Sequence, residues 1–467
     1  MGIFVGVLPG LNSTAGLAIM IPFTFFMDPI PAFLMMVSLY MAAEYGGSIT
    51  SITLGIPGTP PAIPTCWDGF PLTQKGLVRK ALGVSIISSS MGGMIGAIIL
   101  IVAVVPISNF ALRFGPAEYF ALAVFGLSIV ASLAGKSVVK SLISVTIGLL
   151  IVVIGVDVFT GYPRFTFGVV EFLEGIPFIP ALVGLFAVSK VFHLIEEERT
   201  GIRKFTERAG SQFPSLKEFK SLIVSILRGS GIGTLIGAIP GAGATIASLI
   251  AYNEEKRASK HPEKFGTGVL EGVSAPESAN NAAVGGALIP LITLGIPGSG
   301  STAVMLGGLM LQGLKPGPLL MSEQPVLVYS VLVGLFLAAL YQFAIGLLGI
   351  RLWVAIIRVR ASLLMPFVLG LCIIGAYSLG NSVFNVILLL AFGILGYLLE
   401  KFEFPLAPVI LAIVLGGIAE ANFRRALAIS GGSSVIFFTK PISLVLIIIA
   451  LVSFVIPFIR MRRKRGG

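Results

Sequence analysis

The chain is poor in the residues that carry most enzymatic chemistry. Its 467 residues hold two cysteines and two histidines. Cys66 and Cys372 sit in apolar surroundings at neither a metal-ligand nor a redox spacing. His193 and His261 are far apart in the chain, which excludes a His-Glu-x-x-His zinc site. The aspartates are Asp28, Asp68 and Asp157, and none falls in the middle of a continuous apolar run, which counts against an intramembrane aspartyl protease. Gly135-Lys136-Ser137 imitates the end of a phosphate-binding loop, but the position five residues before Gly135, where that loop needs glycine, is Val130. No enzyme, cofactor or resident metal is expected, and any work the protein does must draw on a gradient.

Charge is scarce too. Only 11% of residues are charged, against roughly 25% in soluble domains, while 56% are hydrophobic. A water-soluble globule is excluded. An outer-membrane barrel would alternate polar and apolar residues, whereas Ala97–Pro106 and Leu444–Pro457 are continuously apolar. The fold class expected is therefore an all-α polytopic membrane protein of about 10–12 transmembrane helices at roughly 20 residues each. The net charge of +11 comes largely from clusters at Arg460–Arg465 and Arg199–Lys220. In a membrane protein such clusters mark cytoplasmic segments rather than a nucleic-acid partner.

What the chain has in excess is glycine, 57 residues, together with 28 prolines, many of them inside apolar segments. They form a repeat. Gly6-Val-Leu-Pro9-Gly10-Leu-Asn12-Ser13-Thr14 resembles Gly237-Ala-Ile-Pro240-Gly241-Ala-Gly243-Ala-Thr245, and Ile52-Thr-Leu-Gly-Ile-Pro57-Gly58-Thr59 resembles Ile292-Thr-Leu-Gly-Ile-Pro297-Gly298-Ser299. Gly-Gly pairs, Gly46-Gly47 and Gly285-Gly286, precede each Ile-Pro-Gly, and the second copy carries an extra charged insert, Glu254–Lys264. The order repeats, so two related halves are expected, in inverted orientation. The divisions read are 1–198, a basic cytoplasmic linker at 199–218, and 219–467. Apolar pieces near 13–27, 219–238, 242–252, 283–296 and 301–312 read as half-helices. The second copy has a long apolar lead-in to Pro240-Gly241 and the first only eight residues before Pro9-Gly10, so a further N-terminal helix of about 20 residues is expected upstream of Gly2.

Proline ends a helix and glycine turns the chain, so each Pro-Gly frees backbone groups. At membrane depth these are tolerated only within protein or beside a wet cavity. Repeated halves with matching interrupted segments are the sequence pointer to a transporter's central site, although small residues also serve close helix packing. The substrate-binding set expected at these breaks is Asn12, Ser13, Thr14, Gly58, Thr59, Gly241, Gly243, Thr245, Gly298, Ser299, Ser301 and Thr302. Amide N–H groups, hydroxyls and helix N-termini suit an anion. Glu277, Ser278, Asn280, Asn281 and Glu44 are polar groups costly enough in a membrane to be cation or gating candidates. Asp68 reads as a turn residue, and Arg164 either as a cation at a cavity mouth or as an interfacial loop arginine.

Pro9-Gly10, Ile56-Pro57-Gly58, Ala275-Pro-Glu-Ser-Ala-Asn-Asn-Ala-Ala283 and Arg164-Phe-Thr-Phe-Gly168 together resemble the large membrane subunit of the tripartite tricarboxylate transporters, TctA type. The resemblance covers nearly the whole chain. It implies a secondary importer of tricarboxylates, dicarboxylates or related organic acids in the bacterial inner membrane, coupled to sodium or protons. It also implies two partners, a small four-helix membrane subunit and a periplasmic solute-binding protein. A channel built from the same broken helices is the alternative, and it would show no gradient coupling.

Overall fold

The computed structural model describes residues 1–8, 11–133, 137–157, 159–197, 213–350, 352–353 and 361–465. Pro9-Gly10 and most of the basic linker lie outside them. The chain runs through α1 (Gly2–Val7), α2 (Ser13–Thr24), α3 (Pro29–Leu54), a 3-10 turn (Pro60–Ala62), α4 (Ile63–Gln74), α5 (Val78–Ala111), α6 (Pro116–Leu133) and α7 (Val138–Val152). A small antiparallel hairpin, β1 (Gly155–Val156) and β2 (Pro163–Arg164), leads to α8 (Phe178–Val183), whose π turn at Gly184–Val188 passes into α9 (Ser189–Glu197). The second half has α10 (Leu216–Gly237), α11 (Gly243–Ala258), α12 (Glu271–Leu294), α13 (Gly300–Leu311), α14 (Leu320–Glu323) and α15 (Pro325–Leu348). It ends with α16 (Ala361–Ser378), α17 (Val383–Lys401), α18 (Leu406–Ile429), α19 (Ile436–Thr439) and α20 (Pro441–Arg465). Among the described residues seven helices are long and apolar enough to cross a membrane, with shorter apolar helices beside them. The protein is an all-α polytopic membrane protein.

The repeat of the sequence is a repeat of the backbone. α3 and α12 both end on a left-handed glycine, Gly55 at φ 70° and Gly295 at φ 70°. Beyond each cap comes a glycine with no room for a side chain. A Cβ on Gly58 would lie 2.8 Å from the Gly6 carbonyl oxygen, and one on Gly298 would lie 2.8 Å from that of Gly237. Gly6 and Gly237 are themselves equivalent in the repeat. The two Ile-Pro-Gly motifs thus press the same atom of the repeat against the same neighbour.

The short helices leaving these breaks are paired across the halves. The Gln312 side chain, beyond α13, donates to the carbonyls of Thr24 and Met27, beyond α2. At the other end Asp68 of α4 is buried and accepts from Tyr252 of α11 at 2.8 Å and from the N–H groups of Gly266, Gly268 and Val269 at 2.8–2.9 Å. Lys75, just past α4, donates to the Thr267 carbonyl at 2.6 Å. Path α3–α4 therefore runs from the Gln312 end to the Asp68 end, and path α12–α13 runs back. With α3 26 residues long, ~39 Å at about 1.5 Å per residue, these ends are far apart and the two copies run in opposite directions. Asp68 is thus no turn residue. Its partners lie about 200 positions away, beyond the reach of a local reading.

Two further readings are corrected. The pieces at 219–238 and 283–296 are no half-helices: the first lies in the 22-residue α10, long and apolar enough to cross a membrane, and the second in the continuous 24-residue α12, which also takes in the polar stretch before it. Every residue from Gly272 to Thr293 is buried, so the polar groups of α12 meet protein on all sides rather than lipid. Glycine makes this possible: Gly92 and Gly96 of α5, and Gly229, Gly233 and Gly237 of α10, lie against the α12 backbone where a Cβ would come within 2.1–2.8 Å of it or of its Ser278 hydroxyl. α10 also starts at Leu216, inside the expected linker, where Ser215 and Glu218 form a capping box. The insert is partly helical, since α11 extends to Ala258.

A second cross-link holds the hairpin to the end of α18. Arg424 donates to both Asp157 oxygens at 2.8 and 3.0 Å, and Arg164 pairs with Glu420 at 2.6 Å. The Phe159 N–H, and after it Arg424, hold the Asp157 carboxyl down to about 2. Arg164 is thereby matched to acids in a separate cavity of about 290 Å³, away from the helix breaks.

The glycine contacts predict a contrast. Gly298→Ala forces a Cβ into backbone and should cost about 1–3 kcal/mol, seen as a lower melting temperature of the purified protein. Gly231→Ala, on α10 with nothing within 4 Å, should be neutral or slightly stabilising. Equal melting of the two variants would contradict the packing described.

Candidate functional site

The helix breaks meet around a cavity of about 310 Å³, at the lower end of the range of small-molecule sites. Asn12, Ser13 and Thr14 enter it from the start of α2, and Ser299 and Ser301 from the start of α13. Gly241, Gly243 and Thr245 enter from the start of α11. Sequence reasoning at two breaks separated by nearly 300 residues therefore found one place. The closest junction is made of hydroxyls: Ser301 Oγ lies 3.0 Å from Ser13 Oγ and 2.9 Å from Thr14 Oγ1.

The N-termini of α2 and α13 each carry a side-chain cap, whereas that of α11 has none. Asn12 accepts the Ala15 N–H at 2.8 Å, which fixes the amide oxygen on the helix and leaves the NH₂ as the free end. Ser299 and Thr302 form a capping box, with Ser299 N donating to Thr302 Oγ1 at 2.8 Å and Thr302 N to Ser299 Oγ at 3.2 Å. The breaks before α11 and α13 are tied by the Gly241 N–H donating to the Gly298 carbonyl at 2.9 Å. Four of the expected residues thus stand behind the cavity rather than on it. Thr302 and Gly298 hold the second tip, Gly58 donates to the Gly47 carbonyl at 3.1 Å, and Thr59 is buried against Gly47.

The cation or gating candidates separate into two places. Glu44 lines the cavity and accepts from Ser13 Oγ at 2.6 Å. Glu277, Ser278, Asn280 and Asn281 do not line it; they lie on the buried α12. Glu277 sits in a cage of donors: Ser48 and Thr65 at 2.5 Å and Asn280 at 3.5 Å on Oε1, Ser85 at 3.1 Å and Ser89 at 2.7 Å on Oε2. The hydroxyls come from α3, α4 and α5 of the first half, so this one carboxyl of the second half ties three helices of the first. Asn281 donates to Asn280 at 2.6 Å and accepts from Gln342 of α15 at 3.3 Å, while Ser278 donates to the Ala275 carbonyl within its own helix.

Tyr40, Glu400 and Phe186 are among the cavity residues that were not foreseen. The Tyr40 hydroxyl lies 3.1 Å from Ser299 Oγ; it precedes Glu44 by four residues, one helical turn, and that spacing was the available signal. Glu400 and Phe186 also line the cavity, and nothing in the local sequence marks either. Glu400 is paired with Lys190 at 2.8 Å.

Interrupted helices from two related halves, running in opposite directions and meeting at a small polar cavity, define a multi-pass membrane transport protein. Residues 1–411 match the family described as Tripartite tricarboxylate transporter TctA family, and the chain belongs to it. An uncharacterized 52.8 kDa protein in the TAR-I ttuC' 3' region of Agrobacterium vitis is 38% identical over 471 residues, covering 100% of this chain and 93% of its own length. An uncharacterized protein in the TAR-II ttuC' 3' region of the same organism is 39% identical over 236 residues, 50% of this chain and 98% of its own length. No solved structure matches the chain.

Removing the carboxyl of Glu277 strands its hydroxyl donors in a dry interior. At about 1.5–3 kcal/mol for each hydrogen bond to a charged group, Glu277→Ala should lose at least about 3 kcal/mol, measured as a melting shift or failure to accumulate in the membrane. Wild-type melting would show that the cage contributes nothing.

Proposed function

We propose that this chain is the large permease subunit of a binding-protein-dependent secondary transporter for tricarboxylates, dicarboxylates or related organic acids. The observation that carries the reading is the junction of the α2 and α13 N-termini through Ser13, Thr14 and Ser301. Two positive helix ends face one cavity, each held by a cap that leaves N–H groups toward it, and such ends stabilise carboxylates. The size of the cavity suits a small acid rather than a sugar chain or lipid.

Electrostatics supports gradient coupling. The charged residues lining the cavity are Glu44 and Glu400, both acidic. An anionic substrate entering such a site needs an accompanying cation, sodium or a proton, and cotransport supplies it. The halves at 1–198 and 219–467 provide the two sides of the site, joined by a basic linker. The Lys80–Glu218 pair puts the start of α10 at the same end as α4's terminus, and Lys401–Glu196 joins the ends of α17 and α9. Lys217 and Lys220 of α10 belong to that end, which is the cytoplasmic face under the positive-inside rule. The C-terminus is then cytoplasmic and the 155–177 hairpin segment faces the periplasm of a bacterial inner membrane. Delivery is assigned to a periplasmic solute-binding protein, and a small four-helix membrane subunit completes the assembly.

Asn12→Asp keeps the acceptor that caps α2 but replaces the free NH₂ with charge, and Ser301→Ala removes the shared hydroxyl. In vesicles holding all three components, with labelled citrate, tartrate and succinate, each variant should weaken uptake, Ser301→Ala by about 1.5–3 kcal/mol, roughly tenfold to over a hundredfold. Assembly with the small subunit should persist. Normal concentration dependence in both variants would reduce these residues to packing.

A further inference from the structure

Two of the buried carboxyls, those of Glu277 and Glu44, are in opposite states. Glu277 has donors on both oxygens, as described above. Glu44, 2% exposed, has one: Oε1 takes the Ser13 hydroxyl, while Oε2 is buried with no hydrogen-bond partner among the described residues. A buried oxygen of this kind is costly to leave bare, and its side chain lines the cavity.

No basic side chain of the surrounding elements faces it. α1, α2, α13 and α15 carry no charged residue, and α5 carries Arg79 and Lys80 in its first turn, the latter paired with Glu218. On α3 itself the neighbour is the Tyr40 hydroxyl, which lines the same cavity. α12 contributes Glu277, and α4 contributes Asp68, which already holds four donors. At the cavity edge stands Glu400, with Lys190 committed to it. An ionised Glu44 and an anionic substrate would be like charges a few ångströms apart beside buried protein, where repulsion is stronger than in bulk water.

We propose that Glu44 is the seat of the coupling cation, a small monovalent ion, proton or sodium, taken on Oε2 beside the substrate. This rests on the carboxylate reading above and goes beyond it by assigning one residue to coupling. Occupied, Glu44 becomes neutral and stops repelling the acid; empty, it expels it. Binding is therefore reciprocal, each ligand raising the affinity for the other by one factor. The Ser13 hydroxyl belongs to both: it holds Oε1 in place and opens the α2 terminus where the acid binds. Glu277, saturated by its cage, has no oxygen to offer and is a structural tie.

The test measures binding of citrate, tartrate and succinate to the purified complex in lipid nanodiscs by calorimetry. In one arm sodium is varied against choline at constant pH, in the other pH is varied at constant sodium. Wild-type affinity should rise at least tenfold along one arm, which identifies the cation. Glu44→Gln, neutral and nearly isosteric, should bind with an affinity flat along both. Ser13→Ala should shift the half-saturating cation concentration several-fold. A Glu44→Gln protein that melts like wild type and keeps its cation dependence would overturn the assignment, as would a wild-type affinity insensitive to both cations. Absence of binding of any acid to wild type would instead sink the carboxylate reading, and the assignment with it.

Discussion

A helix that stops inside a membrane leaves up to four N–H groups without acceptors, and hydrocarbon supplies none. α2, α11 and α13 all begin at such breaks, and the rest of the molecule is arranged so that these beginnings meet each other rather than lipid. Asn12, Ser299 and Thr302 satisfy part of the demand with their side chains. The residues at these three starts line the cavity, and helix N-termini gathered in one place are the basis of the proposed anion site. Structure and function share one cause here: the same Pro-Gly interruptions that would be intolerable in lipid create the cavity that protects them.

Bringing the breaks together requires helices to approach at backbone distance. The seam around α12 does this with glycine on nearly every facing turn of α5 and α10, so carbonyls and Cα atoms of one helix fill the space a side chain would take on the other. A core packed so closely leaves little freedom for polar groups, and the Glu277 cage shows the consequence. Its carboxyl is matched by donors from three helices, which fixes α12 against the first half. Glu44 escapes this matching because it faces the cavity, the one side without packed protein.

Much of this was legible in the sequence because the informative signals were repeats of unusual residues. The ordered pairs of Pro-Gly motifs gave the two halves, and the polar residues after them gave most of the hydroxyl and amide side chains of the cavity: Asn12, Ser13, Thr14, Thr245, Ser299 and Ser301. What stayed hidden was long-range. Asp68 read as a turn because its donors come from the loop after α11. The piece at 283–296 read as a half-helix, because a single sequence does not show that the polar residues before it continue the same helix, enclosed by the glycines of α5 and α10. Tyr40 was recoverable from its one-turn spacing to Glu44; Glu400 and Phe186 were not.

The central claim is that a carboxylate sits between the beginnings of α2 and α13. It is tested most directly by placing a single cysteine at position 301, with Cys66 and Cys372 replaced by serine, and following its reaction with a small water-soluble thiol reagent. The account predicts that the acid transported by the complex slows labelling in a saturable way, with half-protection near the concentration that half-saturates uptake. Labelling at an unchanged rate under saturating substrate, in a variant that still transports, would contradict it.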